Sequence, residues 1–173
     1  KETPNGHILG PTFSDSPMET TLQELERIKC NGERAFIFKT DIARRYLFPT
    51  VDGEDFVTES VVFDRIKLDW EFIAVNQVLN TCDYMPDGLT RSIHQLLWNN
   101  PIGFMIYHYQ RINQARNVAI AFKHALRYHA FRKIAHKQSD WSDYRGAFAW
   151  LVRLLAFTAP FGLRYYKAKR NRQ

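Results

Sequence analysis

Apolar residues recur in this chain in two rhythms: short runs in the first half, and helical spacings of three or four residues in the second. Ala35-Phe36-Ile37-Phe38 is a compact apolar run between turn formers, which predicts a buried strand. Glu71 to Val75 and Gln77 to Cys82 read as two strands, or as one strand bent at Asn76. Pro4-Asn5-Gly6 is a turn signal, and His7-Ile8-Leu9 a short strand. Leu22, Leu25 and Ile28 behind a Thr20 or Thr21 cap, with Gly32 as the stop, predict a helix. A short helix follows Thr40 or Asp41 and closes before Pro49. Another starts near Thr58 and presents Val61, Val62 and Ile66 on one face.

Beyond Gly88 the rhythm is helical. Thr90 to Trp98 predicts a helix, and Asn99-Asn100-Pro101 a break. Phe104 to His136 reads as one long helix or two in line, with Ile112, Ala115, Ala119, Phe122, Leu126 and Phe131 approximating its stripe. Ser139 or Asp140 would cap a final helix carrying Trp150, Leu151, Leu154 and Leu155, ended by Pro160 and Gly162. The pattern predicts an α/β body over residues 1–100 and an α-helical extension over 101–173.

Composition sharpens this division. The chain has 173 residues, of which 45% are apolar, enough for one domain with a core or a small domain with a helical appendage. A net charge of +6 conceals an asymmetry: residues 101–173 hold 14 Lys/Arg against only Asp140 and Asp143, while residues 1–100 hold 10 against 16 acids. The basic half calls for an anionic partner. Trp150, Phe157, Phe161, Tyr165 and Tyr166 among Arg153, Arg164 and Lys167 suit a helix lying on an anionic leaflet. The plainer alternative is a core-facing stripe with a solvated basic face. No RNA- or DNA-binding motif accompanies the charge, which argues against nucleic acid. Ala147 to Leu163, the best apolar stretch, is interrupted by Arg153 and Pro160, so it predicts no membrane span. Cys30 and Cys82 stand far apart, and the first 30 residues show no secretory leader pattern, which together point to a reducing cytoplasm. The opening Lys1-Glu2-Thr3-Pro4 begins without methionine and inside turn chemistry, and reads as a piece of a longer protein.

Few residues are placed for chemistry. Glu59 opens a predicted helix behind a Gly53–Asp55 loop, where a carboxylate serves either as a base or as a favourable charge at a helix N-terminus. Arg65 stands six residues later, about 600° around the helix, so the spacing disfavours a direct pair with Glu59, and Asp64, Asp69 or Glu71 are alternative partners. His108, His124, His129 and His136 lack the i, i+4 spacing of helix-borne metal ligands and read as solvated. Asp87-Gly88 is a turn signal by itself.

Taken in order, Gly53-Glu54-Asp55-Phe56-Val57-Thr58-Glu59, Arg65-Ile66 and Asp83-Tyr84-Met85-Pro86-Asp87-Gly88-Leu89-Thr90 resemble the acceptor-side half of a family 2 glycosyltransferase of the polysaccharide-biosynthesis subgroup. Thr58-Glu59 with Arg65 is similar to the family's acidic residue and following arginine, and Asp83-Tyr84 to Thr90 to its Glu-Tyr-x-x-Asp-Gly-Leu-Ser sequence. Gly32-Glu33-Arg34 resembles its Gly-Asp-Lys element. The resemblance implies the C-terminal part of a nucleotide-diphospho-sugar transferase A-type fold. It implies Glu59 as general base, with Arg65, Tyr84 and Asp87 binding substrate. The donor would be a nucleotide sugar and the acceptor a saccharide or lipid-linked sugar. The family's Asp-x-Asp motif, which holds Mg or Mn on the donor, has no counterpart here, so the resemblance implies a donor-binding half and a divalent cation mainly outside this chain. The alternative reading is a non-catalytic basic helical module that docks on a membrane or a protein.

Overall fold

The structure, a computed structural model, describes residues 2–10, 12, 16–21, 24, 34–83, 88, 92–136 and 146–171. In chain order they form β1 (Met18–Thr20), α1 (Thr40–Ala43), α2 (Ser60–Asp69), β2 (Phe72–Ala74), α3 (Ile93–Asn99), α4 (Pro101–Asn113), α5 (Val118–Ile134), α6 (Ala149–Leu154), a 3₁₀ turn (Leu155–Thr158) and α7 (Ala159–Arg170). The chain is thus a helix-rich mixture with one small two-stranded sheet among the described residues. It divides into two compact units, Lys1–Leu47 with Val62–Pro86 and Phe48–Val61 with Asp87–Gln173.

In the first unit β1 and β2 run antiparallel, with Met18 opposite Ala74 and Thr20 opposite Phe72. Side chains alternate, so Ala74 is buried while Ile73 is 69% exposed. The unit's apolar packing is largely aromatic. Phe63 of α2 lies 4.8 Å from Phe36 and 5.2 Å from Phe38, ring centre to ring centre, within the range of favourable aromatic pairs. Ala35–Phe38, predicted as a buried strand, has no ladder among the described residues and is not buried: Phe36 and Phe38 are half-buried against Phe63 of α2, while Ile37 is 74% exposed. Gln77–Cys82 likewise forms no strand; Glu2 bridges it at Thr81, and Cys82 N–H donates to the Glu2 carbonyl at 2.7 Å. The Pro4-Asn5-Gly6 turn is present, closed by Gly6 N–H to the Thr3 carbonyl. α2 buries Val61, Val62 and Ile66, the face its spacing predicts, and carries a buried Asp64–Lys67 pair at 2.8 Å. Of the helix predicted behind Thr20 or Thr21, the cap is present, Thr21 Oγ1 accepting from Glu24 N–H at 3.1 Å, while Leu22, Leu25 and Ile28, like the Ser139 or Asp140 cap, lie outside the described residues.

The second unit is a helical assembly centred on α5, which packs against α4, α6, the 3₁₀ turn and α7. Phe104 stacks on Phe131 at 5.3 Å and Ile112 clusters with Ala121 and Ala125, so α4 and α5 are antiparallel rather than in line. The reversal falls at residues 114–117. Asn117 then caps α5, its side-chain oxygen accepting from Ile120 N–H at 2.9 Å. With neighbours on several sides, α5 buries Ala121, His124, Ala125, His129 and Phe131, whereas Ala119 and Phe122 of the predicted stripe are exposed. Pro160 does not end a helix but stands in the first turn of α7, where its missing N–H leaves no helical bond unmade. Gly162 lies inside α7 against Ala130: a Cβ here would overlap the Ala130 methyl and approach its Cα to 3.0 Å. Among the described residues no helix is long and apolar enough to cross a membrane.

Candidate active site

The segment 51–61 is held to the helices at several points, and Glu59 emerges from it. Gly53 takes a left-handed φ of +78°, which closes a turn with Glu54 N–H on the Val51 carbonyl at 3.1 Å. Glu54 then reaches the start of α4: one carboxylate oxygen accepts from Ile102 N–H at 2.6 Å, the other from Gly103 N–H at 2.7 Å. These are two of the N–H groups a helix start leaves unbonded, and a negative charge is favourable here. Gly103 permits the approach, since a Cβ would stand 2.8 Å from the Phe56 carbonyl. Asn100, itself buried, accepts from Asp55 N–H at 2.9 Å and Phe56 N–H at 3.0 Å, and donates to the Leu96 carbonyl at 2.9 Å. Beyond Glu59, Gln110 donates to the Val61 carbonyl at 3.0 Å.

Glu59 therefore lies between two anchored stretches, immediately ahead of α2, with its side chain exposed. The backbone is held on both sides of Glu59 while its carboxylate is open to solvent. Arg65 sits further along α2 in the first unit, half-buried, with Nη1 at 3.5 Å from the Leu47 carbonyl. Of the acids beside it, Asp64 is engaged with Lys67, and Asp69 accepts from the Tyr46 hydroxyl at 2.7 Å. That hydrogen bond to Asp69 and burial raise the Tyr46 pKa. Tyr84 and Asp87 lie outside the described residues.

The histidines differ from their predicted solvated state. His108 and His124 are buried, and their Nδ1 atoms face each other at 2.9 Å, so one ring donates and the other accepts. Burial, the facing His124 and the cations Arg127, Arg111 and Lys123 push His108 down to about 2. Burial first, then Arg111, Arg127 and Lys123, takes His124 to about 4. His129 is fully buried with Nε2 at 2.6 Å from the Val152 carbonyl, and burial takes it to about 4. Only His136 of the four is exposed. The rings are neutral core members, and the missed signal is their spacing: His124 and His129 flank Ala125 and Ala130 on the sides of α5 that its neighbours cover.

The first unit also holds a cavity of about 520 Å³, lined by apolar residues including Phe36, Phe38, Trp70 and Phe72, with Arg34, Lys39 and Glu71 as its charged members. Among the described residues no three His, Cys, Asp or Glu side chains are grouped to hold a metal ion. No protein-family model, curated protein or solved structure matches the chain.

Proposed function

We propose that this chain is the acceptor-side part of an inverting, family 2-type glycosyltransferase of the A-type fold, with Glu59 as its general base. The observation that carries this reading is the exposed Glu59 at the head of α2, on a segment tied down by Glu54, Asn100 and Gln110. In the proposed reaction the Glu59 carboxylate takes the proton of an acceptor hydroxyl as that oxygen bonds the anomeric carbon of the donor. The bond from that carbon to the nucleotide diphosphate breaks on the opposite face, and the diphosphate leaves with the electron pair. The products are an inverted glycoside, a nucleotide diphosphate and a protonated Glu59. Arg65, Tyr84 and Asp87 bind substrate in this reading. The nucleotide-sugar site and its Mg or Mn ion belong to a donor-binding half outside these residues. The acceptor is a saccharide or a lipid-linked sugar, met at the cytoplasmic membrane surface by a peripherally attached enzyme.

The test is sugar transfer by the complete enzyme carrying Glu59→Gln. This change keeps shape and removes basicity, so turnover should fall about 10²- to 10⁴-fold with folding intact. Turnover near that of the parent would remove Glu59 from the mechanism. The second reading, a non-catalytic docking module, would then stand on the exposed apolar face of the last helices.

A further inference from the structure

We infer that the outward face of α6, the 3₁₀ turn and α7 is a docking surface for an anionic phospholipid leaflet. Trp150, Leu154, Phe157, Phe161 and Tyr165 are 55%, 60%, 67%, 65% and 57% exposed. They recur every three or four residues, once per helical turn. The intervening Leu151, Val152, Leu155 and Ala159 are buried. These consecutive helices are therefore apolar on two sides, and only one side has a partner among the described residues. A contiguous row of large apolar side chains in water marks an interaction surface.

Charge identifies the occupant. Arg153, Arg164 and Lys167 are exposed among the apolar residues, and the sequence after Asp143 contains seven Lys/Arg and no acid. A second copy docked through the same face would set these cations against their own kind. A nucleic acid would match the cations and flat rings, but gains little from Leu154. A leaflet with anionic headgroups matches both: rings and Leu154 enter the acyl boundary while the cations meet phosphate and carboxylate. With no helix among the described residues long and apolar enough to cross, α6 and α7 lie in the plane of the surface. This inference gives the membrane attachment proposed above a specific face, and rests on that face rather than on Glu59.

Co-sedimentation with phosphatidylcholine vesicles, with and without phosphatidylserine, tests it on the 173-residue protein. Phosphatidylserine should strengthen binding about tenfold or more, and raising salt from about 0.1 M to about 0.5 M should reverse much of the gain. The Phe157→Glu/Phe161→Glu variant should keep the parent's circular dichroism and melting, since both rings are exposed, yet bind about tenfold less or weaker still. Glu59→Gln should bind as the parent does whatever its turnover, which separates this inference from the assignment of the base. Absence of binding, indifference to phosphatidylserine, or full binding by the double variant would overturn it. So would displacement from vesicles by an oligonucleotide, or a dimer without vesicle binding that the double variant splits.

Discussion

Two carboxylates five residues apart, Glu54 and Glu59, show how position decides the role of a side chain. Glu54 is engaged by two backbone N–H groups at the head of α4, whereas Glu59 is exposed. Glu54→Ala should cost about 1–2 kcal/mol of stability in urea unfolding, because Ile102 and Gly103 lose their acceptor. Glu59→Gln should change stability by less than about 0.5 kcal/mol, as for other exposed positions. Equal effects of the two would contradict this division of labour. Glu59 as the head of a helix was legible from Thr58-Glu59 and the apolar spacing behind it. The work of Glu54 was not, because its partners lie 48 and 49 residues away and are backbone atoms without a residue signature. Asn100-Pro101 did hold a readable clue, since Asn before a first-turn Pro is a helix-start signal rather than a break alone.

At the scale of elements, helix periodicity held for α2, but the stripe over 112–131 held only in part, with Ala119 and Phe122 exposed, and the helix ends were misplaced. α2 buries the predicted Val61, Val62 and Ile66, but the stretch expected as one long helix or two in line is an α4–α5 hairpin, and Pro160 begins α7 instead of ending its predecessor. Reversal depends on what a helix can pack against, which no local pattern contains. Gly162 is the clearest case, its use set by Ala130 on another helix. Gly→Ala inside a helix ordinarily stabilises by up to about 1 kcal/mol. Here the sign should reverse. The new methyl meets the Ala130 methyl and backbone, which cannot rotate aside, so Gly162→Ala should destabilise by about 1–3 kcal/mol. Ala130→Gly in the same protein should recover much of that loss, and thermal melts of the single and double variants check both. A stabilised Gly162→Ala protein would mean that α5 and α7 are not in close contact.

For the molecule as a whole, a basic helical half was legible in its charge, but the buried histidines within it were not. His108, His124 and His129 look like members of a polar, cationic surface until the helices on several sides of α5 are known. Their burial makes stability depend on pH. Each has an ordinary value of 6.5 in the unfolded chain, and folded values of about 2, 4 and 4 respectively. The folded value is depressed, so the unfolded chain binds protons that the folded chain refuses. Their contribution is complete above pH 6.5 and is lost as pH falls from there, toward about 4 for His124 and His129 and toward about 2 for His108. Within that window each neutral histidine adds a slope of up to about 1.4 kcal/mol per pH unit, on the order of 4 kcal/mol per unit for the three. The His108–His124 contact carries the loss to lower pH, since a second proton on the pair would turn two N–H donors toward each other across 2.9 Å. Urea unfolding at several pH values below 6.5 should therefore show a steep decline, beginning before most carboxylates titrate. His124→Gln, which leaves an amide to face His108 Nδ1, should lower the slope by about one proton's worth, roughly 1.4 kcal/mol per unit. Stability that stays level from pH 7.5 to about 5 would show that these rings accept protons in the folded state as readily as in water.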